Sequence, residues 1–156
     1  MRKGFFLALE GIDKCGKSTQ IKRLGKRWQG LGLPVTLTRE PGGTALGERI
    51  RRLLLENRSV IDATSELLLY EASRAQHVAQ VIKPALRQGR LVLCDRFSLS
   101  TFAYQALGRG LKLPFVQELD QWAAQGTSPD LTIVLETPFS VTRQRLGLNP
   151  GNSRGV

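Results

Sequence analysis

The sequence predicts an α/β protein with a parallel sheet, on three observations. Apolar, strand-like runs alternate with segments of helical spacing along the chain. The first of these runs leads directly into residues 11–18, which match the pattern G-x-x-x-x-G-K-S. A later apolar run, residues 91–95, ends in a carboxylate, Asp95. With 156 residues, of which 41% are hydrophobic, the chain can bury one sizeable core but is too short for two ordinary domains.

The strands and the first helix follow from the spacing of apolar residues. Four strands are predicted, at residues 5–10, 34–38, 91–95 and 131–135. A helix is predicted over 17–29, because Ile21, Leu24 and Trp28 recur at intervals of three and four and form one apolar face. Gly30 is expected to end this helix.

The remaining helices are placed by the same periodicity. They are predicted over 46–56, from 65 onward through 70, over 99–107, over 114–125, and from 137 through 145. Pro84 is expected to kink or restart the long third helix, since proline lacks a backbone N–H. Residues 1–146 are therefore interpreted as one domain, and residues 147–156 as an irregular or disordered tail.

Composition narrows the class of protein. The net charge of +10 suggests nucleic-acid binding, but the basic residues are dispersed along helices with no run of five like charges, so nucleic acid is not expected as a partner. A basic surface that attracts phosphate-rich small molecules explains the charge as well. No apolar stretch reaches membrane-spanning length, and membrane binding is not expected. Cys15 and Cys94 show no metal or redox spacing, which fits a reducing cytoplasm.

The glycine-rich segment predicts a phosphate-binding loop. Its glycines let backbone N–H groups turn toward phosphate oxygens, and the following helix adds its positive N-terminal end. Lys17 is expected to reach the β- and γ-phosphates, and Ser18 to bind Mg²⁺. The alternative is a turn that binds nothing. The candidate nucleotide-binding residues are Gly11, Ile12, Asp13, Lys14, Cys15, Gly16, Lys17, Ser18 and Thr19.

Asp95 supplies the second element of a Mg²⁺-nucleotide site. A carboxylate at the end of a strand can hold one of the waters that Mg²⁺ keeps. Both Asp95 and the loop at 11–18 would lie at the carboxyl edge of a parallel sheet, where ligands of such sheets bind. Without the loop, a helix N-cap would be the favoured interpretation of Asp95.

Four segments together resemble the thymidylate kinase family: residues 10–13, 39–44, 70–74 and 95–105. The resemblance covers about residues 5–146 in the family's order and spacing. It implies a P-loop nucleoside monophosphate kinase fold, with three α/β/α layers and a parallel sheet in the order 2-3-1-4. It also implies the reaction of ATP with dTMP to give ADP and dTDP, with Mg²⁺, and a homodimer.

The resemblance also implies roles for individual residues. The substrate-binding residues are Asp13, Arg39, Tyr70, Arg74, Arg96, Ser100 and Tyr104. Arg39 and Arg96 would hold the dTMP phosphate through paired N–H donors. Arg74 would bind the thymine edge while Tyr70 stacks on the ring. Asp13 would accept from the 3′-hydroxyl, and Tyr104 would crowd the 2′ position. Lys17, Asp95, Lys14 and Arg96 are the expected catalytic residues.

The sequence departs from the family at two places. Lys14 stands where one subgroup has a catalytic arginine, so it is expected to supply part of that charge, incompletely because lysine lacks the guanidinium fork. After Leu146 the sequence does not match the family's lid or fifth strand, so a shortened fold is expected. The alternatives are a relative that binds nucleotides without efficient catalysis, a kinase for another nucleotide, and a nucleic-acid-binding NTPase.

Overall fold

Four parallel strands form a single sheet in the order β2-β3-β1-β4. They are seen in a computed structural model that describes residues 4–56 and 60–147. The strands are β1 Phe5–Glu10, β2 Val35–Arg39, β3 Leu91–Asp95 and β4 Leu131–Val134. Both the parallel sheet and the strand order are as expected.

Seven α-helices occur in the described residues, and six of them begin within two residues of a predicted helix. They are α1 Lys17–Gly30, α2 Ala45–Glu56, α3 Ala63–His77, α4 Lys83–Arg87, α5 Ser98–Thr101, α6 Leu113–Ala124 and α7 Phe139–Arg145. Two π-helical segments continue them: Val78–Ile82 joins α3 to α4, and Phe102–Gly108 follows α5. Pro84 lies in the first turn of α4, so the helix restarts there as expected.

Two of the three apolar clusters of the core lie on opposite faces of the sheet, which makes three layers, and the third packs α3 against α6 and the segment Phe102–Gly108. Alternate residues of β1 point to opposite faces: Phe6 and Ala8 belong to one cluster, and Leu7 and Leu9 to the other. The π-helical segment Val78–Ile82 covers the first face, and α1 covers the second through its predicted apolar side chains. The edge strand β4 keeps more exposed apolar surface than β1 or β3.

The sheet brings the ends of three strands to one edge. Leu9 and Arg39 both lie opposite Asp95 in the strand register, so β1, β2 and β3 end at the same level. The loops that follow these strands therefore lie side by side, as the sequence predicts.

Two further expectations concern the whole chain. No described helix is long and apolar enough to cross a membrane. Residues 148–156 of the expected tail lie outside the described residues, and the division into a domain and a tail stays a prediction.

Two glycines with nearly the same φ allow steric fit to be separated from backbone strain. Gly43 has φ +75°, and an added Cβ would lie 2.6 Å from the His77 ring and 2.7 Å from Thr38 Oγ1. Gly110 has φ +74° but no atom within 4 Å of that position. We expect Gly110→Ala to cost about 1 kcal/mol of unfolding free energy, and Gly43→Ala about 3 kcal/mol. Urea unfolding would measure both, and equal costs would contradict the packing shown around Gly43.

Candidate active site

The predicted phosphate loop leads from β1 into α1 in a conformation that its glycines permit. Gly11 has φ +137°, and a Cβ there would lie 2.6 Å from the carbonyl oxygen of Leu135, so no other residue fits. Gly16, also at positive φ, precedes the first turn of α1. The backbone carbonyls of Gly11 and Ile12 each accept a hydrogen bond of 2.8 Å from Lys17 Nζ. The lysine ammonium is thus buried inside the loop that it is predicted to serve.

The predicted magnesium ligands contact each other. Ser18, at the start of α1, donates a hydrogen bond of 2.5 Å from Oγ to Asp95 Oδ2 at the end of β3. Helix α5 begins only at Ser98, and the residue before it is Phe97, so Asp95 does not cap that helix. Two hard oxygen ligands therefore stand together beside the loop, which is the donor chemistry that Mg²⁺ prefers.

A buried carboxylate joins the end of β1 to the segment after β3. Glu10 Oε1 accepts hydrogen bonds from the backbone N–H of Phe97, at 2.8 Å, and of Ser100, at 3.3 Å. Glu10 Oε2 accepts from the Ser100 hydroxyl at 2.5 Å. Ser100 is therefore held by both its backbone and its side chain, which is a positional role in addition to the substrate contact that the resemblance implies.

Arg96 lies across this junction. It has φ +74°, and its Nη1 donates to the Gly11 carbonyl at 3.1 Å and to Ser100 Oγ at 2.8 Å. Its Nη2 donates to Asp13 Oδ1 at 2.5 Å, and its guanidinium carbon lies 5.3 Å from the centre of the Tyr104 ring. Burial lowers the pKa of Arg96, but Tyr104 and Asp13 outweigh this effect and raise it. Arg96 is a fixed cation that connects the loop to the predicted sugar-binding residues.

Arg74, on α3, is buried and held by carboxylates from three segments of the chain. Its Nε donates to Glu40 at 2.8 Å, and its Nη1 donates to Glu71 at 2.8 Å and to Asp120 at 2.5 Å. Its Nη2 donates to Thr101 Oγ1 at 3.0 Å. We call Glu40, Glu71 and Asp120 the carboxylate cluster. These partners fix the guanidinium plane of Arg74.

The carboxylate cluster contains more negative than positive charge. Burial raises the pKa of Glu71 to about 7, and Asp120 and Glu40 add to the rise while Arg74 opposes it. Burial also raises the pKa of Asp120. His77 is fully buried beside the cluster, with Nδ1 2.8 Å from Glu40 Oε1. Charge neutralisation alone does not explain three carboxylates around one arginine.

Two adjoining cavities lie at the carboxyl edge of the sheet. The first, which we call the aromatic cavity, is lined by Tyr70, Phe97 and Tyr104 with Arg51, Arg74 and Arg96. The second, which we call the loop cavity, is lined by residues 13–20 of the phosphate loop and α1, with Asp95 and Arg145. Four residues line both cavities: Asp13, Glu40, Arg51 and Arg96. A ligand in one cavity would therefore meet a ligand in the other.

Most of the predicted site residues line one of the two cavities. Asp13, Tyr70, Arg74, Arg96, Ser100 and Tyr104 all line the aromatic cavity. Lys14, Cys15, Gly16, Lys17, Ser18 and Thr19 line the loop cavity. Arg39 lines the loop cavity and not the aromatic one, and its Nη2 pairs with Glu48 at 2.9 Å. It does not line the cavity that contains Tyr70 and Arg74.

Sequence reasoning missed six polar residues that line these cavities: Gln20, Glu40, Arg51, Thr101, Gln105 and Arg145. Arg51, on α2, lines both cavities and donates to the Pro41 carbonyl at 3.0 Å. Gln105 lines the aromatic cavity, and Arg145 donates to the Lys14 carbonyl at 2.9 Å beside the loop cavity. The sequence around Arg51 is typical of a solvated basic helix face. Nothing in it distinguishes Arg51 from the neighbouring arginines as a site residue.

Comparison with known proteins agrees with this geometry. The family model for thymidylate kinase matches residues 9–154. A thymidylate kinase of Syntrophotalea carbinolica is 48% identical over 157 residues, covering 96% of this chain and 73% of that protein. A thymidylate kinase of Pelotomaculum thermopropionicum is 53% identical over 135 residues, covering 86% of this chain and 62% of that protein. The chain belongs to the thymidylate kinase family.

A solved structure supports the same family and fold. The crystal structure of thymidylate kinase from Ehrlichia chaffeensis matches with a TM-score of 0.82 and 37% identity, and the match covers 92% of this chain and 82% of that one. The expected P-loop nucleoside monophosphate kinase fold is thereby confirmed. The chain spans between 62% and 73% of the length of the two thymidylate kinase sequences named above.

The pKa of Glu71 predicts a pH-dependent contribution to stability. Because folding raises this pKa from 4.5 to about 7, the folded state holds the proton more tightly. The contribution of Glu71 to stability is therefore fully present below pH 4.5 and is lost as the pH rises through about 7. The side chain of Glu71→Gln stays neutral at every pH. The free energy of unfolding of this variant, relative to that of the wild-type chain, should therefore rise by about 2 kcal/mol between pH 5 and pH 8.

Thermal unfolding across this pH range would measure the difference. Glu118→Gln is the matched control, because Glu118 is an exposed carboxylate on α6. A gain for Glu71→Gln that does not change with pH would show that Glu71 is ionised throughout.

Proposed function

We propose that this chain transfers the γ-phosphate of ATP to dTMP, giving ADP and dTDP. The observation that carries the proposal is the wall shared by the aromatic and loop cavities, formed by Asp13, Glu40, Arg51 and Arg96. ATP phosphates in the loop cavity and a monophosphate in the aromatic cavity would meet at this wall. In-line transfer between two bound nucleotides requires such an arrangement.

The loop cavity fits the donor. The N–H groups of the loop and the positive end of α1 favour phosphate oxygens. Lys17 would exchange its two carbonyl partners in the loop, Gly11 and Ile12, for the β- and γ-phosphates. Ser18 and Asp95 would hold Mg²⁺, which would shield the charge of the phosphates when bound.

The chain does not supply a complete metal cage. Within residues 4–56 and 60–147, no group of three His, Cys, Asp or Glu side chains could hold a metal ion. Magnesium in such sites usually takes its remaining ligands from water and from the nucleotide phosphates. The two-oxygen arrangement at Ser18 and Asp95 therefore fits a metal that arrives with ATP.

The aromatic cavity fits a pyrimidine deoxynucleotide. Tyr70 offers a ring face for stacking, and Arg74 offers a fixed N–H donor for the base. Asp13 and Tyr104 flank Arg96, where the sugar would lie between base and phosphate. Asp13 would accept from the 3′-hydroxyl, and Tyr104 would restrict the 2′ position.

The acceptor phosphate is assigned to the cations of the shared wall. Arg96 is held there by Asp13 and Gly11, and Arg51 by the Pro41 carbonyl. Both are therefore placed to hold the phosphate without large rearrangement. Transfer needs no covalent intermediate, so these contacts act by placement and by balancing the charge on the moving phosphoryl group.

Lys14 is the proposed additional cation on the donor side. It lies in the loop at φ +61° and lines the loop cavity, where its backbone carbonyl accepts from Arg145. This contact holds the backbone of Lys14 and leaves its ammonium available to phosphate oxygens. Arg145 lines the same cavity.

Two features of the wider setting stay proposals. The free, buried thiols of Cys15 and Cys94 support a reducing compartment such as the cytoplasm. A homodimer is proposed from the family resemblance, and exposed Leu53 on α2 and Leu68 on α3 offer apolar surface for it. Sedimentation equilibrium would test the dimer directly.

The decisive experiment is ADP release by the purified chain with Mg-ATP and each of dTMP, dUMP, dCMP and AMP, or no acceptor. We expect release to depend on dTMP. Release no faster than without acceptor would favour a relative that binds nucleotides without efficient catalysis. Preference for another monophosphate would overturn the assignment of dTMP as the acceptor. Stimulation of ADP release by DNA or RNA that weakens with added salt would indicate a nucleic-acid-dependent NTPase.

Removing single cations should separate acceptor and donor contacts. Arg51→Ala should raise KM for dTMP about tenfold and leave KM for ATP nearly unchanged, since a charged hydrogen bond to phosphate is lost. Lys14→Ala should lower kcat about tenfold with KM for dTMP unchanged, because its charge acts on the transferred group. Lys26→Ala, an exposed cation on α1, is the control.

Arg39→Ala completes this series. Because Arg39 lies in the loop cavity and pairs with Glu48, we expect a smaller rise in KM for dTMP than in Arg51→Ala. A larger rise would instead support the phosphate contact that the family resemblance assigns to Arg39. Unchanged kcat in Lys14→Ala would refute the role of Lys14.

A further inference from the structure

The donors of Arg74 are almost fully used by protein groups. A guanidinium carries five N–H groups. One goes to Glu40, two on Nη1 go to Glu71 and Asp120, and one on Nη2 goes to Thr101. Of the five N–H groups of Arg74, only the second one on Nη2 has no partner among the described residues. Since Arg74 and Thr101 both line the aromatic cavity, this N–H is the donor that a bound base can use.

The direction of this N–H depends on contacts made at the other end of the guanidinium. Glu71 lies one turn before Arg74 on α3, so its contact restrains Arg74 only relative to its own helix. Asp120 belongs to α6, and it joins Nη1 to a second helix at 2.5 Å. Its carboxylate is buried, as is the guanidinium.

The charge of Arg74 does not explain why a third carboxylate, Asp120, is buried beside it. Arg74 already pairs with Glu40 and Glu71, and Asp120 faces this one cation, these two carboxylates and the side chain of Ser98. Burial of a further carboxylate costs free energy that hydrogen bonds to one arginine do not fully recover. The contact of Asp120 therefore has a use other than neutralising Arg74.

We propose that Asp120 is a positioning residue for recognition of the acceptor base: it orients Arg74 so that the free N–H of Nη2 points into the aromatic cavity. This inference rests on the proposed function, because it takes the base to be a pyrimidine held in that cavity. Asp120 acts through Arg74 and does not itself line the cavity.

The base chemistry makes the consequence specific. Thymine presents an acceptor oxygen at position 4, whereas cytosine presents an amino donor there. A rigidly aimed N–H therefore attracts dTMP and opposes dCMP, whereas a guanidinium free to turn away loses the attraction and relieves the conflict. Asp120 should thus contribute to the preference for dTMP over dCMP, and not to the binding of ATP.

The test compares binding of dTMP, dCMP and Mg-ATP to the full chain by calorimetry. Asp120→Ala should weaken dTMP about tenfold while dCMP changes little, so that the dTMP/dCMP ratio falls about tenfold. Asp120→Asn should restore most of this ratio, because its amide oxygen still accepts from Nη1. Glu118→Ala, on the exposed face of α6, is the matched control and should alter none of the three affinities.

A second variant covers the case in which Asp120→Ala does not fold. Asp120→Glu keeps the charge but extends the side chain by one methylene, which displaces Arg74, so it too should lower the dTMP/dCMP ratio. An unchanged ratio in these variants, or equal weakening of dTMP, dCMP and ATP, would overturn the positioning role. Failure of the wild-type chain to bind dTMP would overturn the proposed function, and this inference with it.

Discussion

The carboxylate of Glu10 holds together the two segments that build the site. It closes the end of β1 and accepts hydrogen bonds from Phe97 and Ser100, which begin the segment after β3. Three donors satisfy its two oxygens, so the buried charge is not left unpaired. Because the phosphate loop starts at the next residue, any movement of this carboxylate would shift the loop and Arg96 together. The rest of the site is arranged around this connection.

The parallel sheet explains why one carboxylate, that of Glu10, is enough to hold these two segments together. Strands β1 and β3 are neighbours in register, so their ends meet without a long connection between them. Arg96 then crosses from one loop to the other and bonds to Gly11 and Asp13. The loop cavity and the aromatic cavity share this arginine because the two strand ends beside them are adjacent. Rigid backbone at the sheet edge thus provides the preorganisation that charge stabilisation of phosphoryl transfer requires.

Features carried by local sequence were predictable, and those that depend on distant partners were not. The strand Phe5–Glu10 has its predicted bounds, since an apolar run ends at a glycine-rich turn. The contact of Ser18 with Asp95 follows from the meeting of strand ends at one edge of the sheet. Arg51 was missed because its place on α2 looks like a solvated helix face. The partnership of Arg74 with Asp120 joins residues 46 positions apart, and no local pattern contains such a distance.

The carboxylates around Arg74 lower the stability of the fold but favour selective binding of a base. A buried arginine with one well-placed carboxylate would satisfy its charge, and further carboxylates raise the desolvation cost and repel one another. Burial is the largest cause of the raised pKa of Glu71 and of Asp120, and the neighbouring carboxylates add to it. Yet one carboxylate binds one edge of a guanidinium and leaves rotation about the long side chain open. Contacts from the end of β2, from α3 and from α6 remove that freedom before a ligand arrives. Ordering the guanidinium in advance lowers the entropy lost when a base binds, so a less stable cluster can give a more selective cavity.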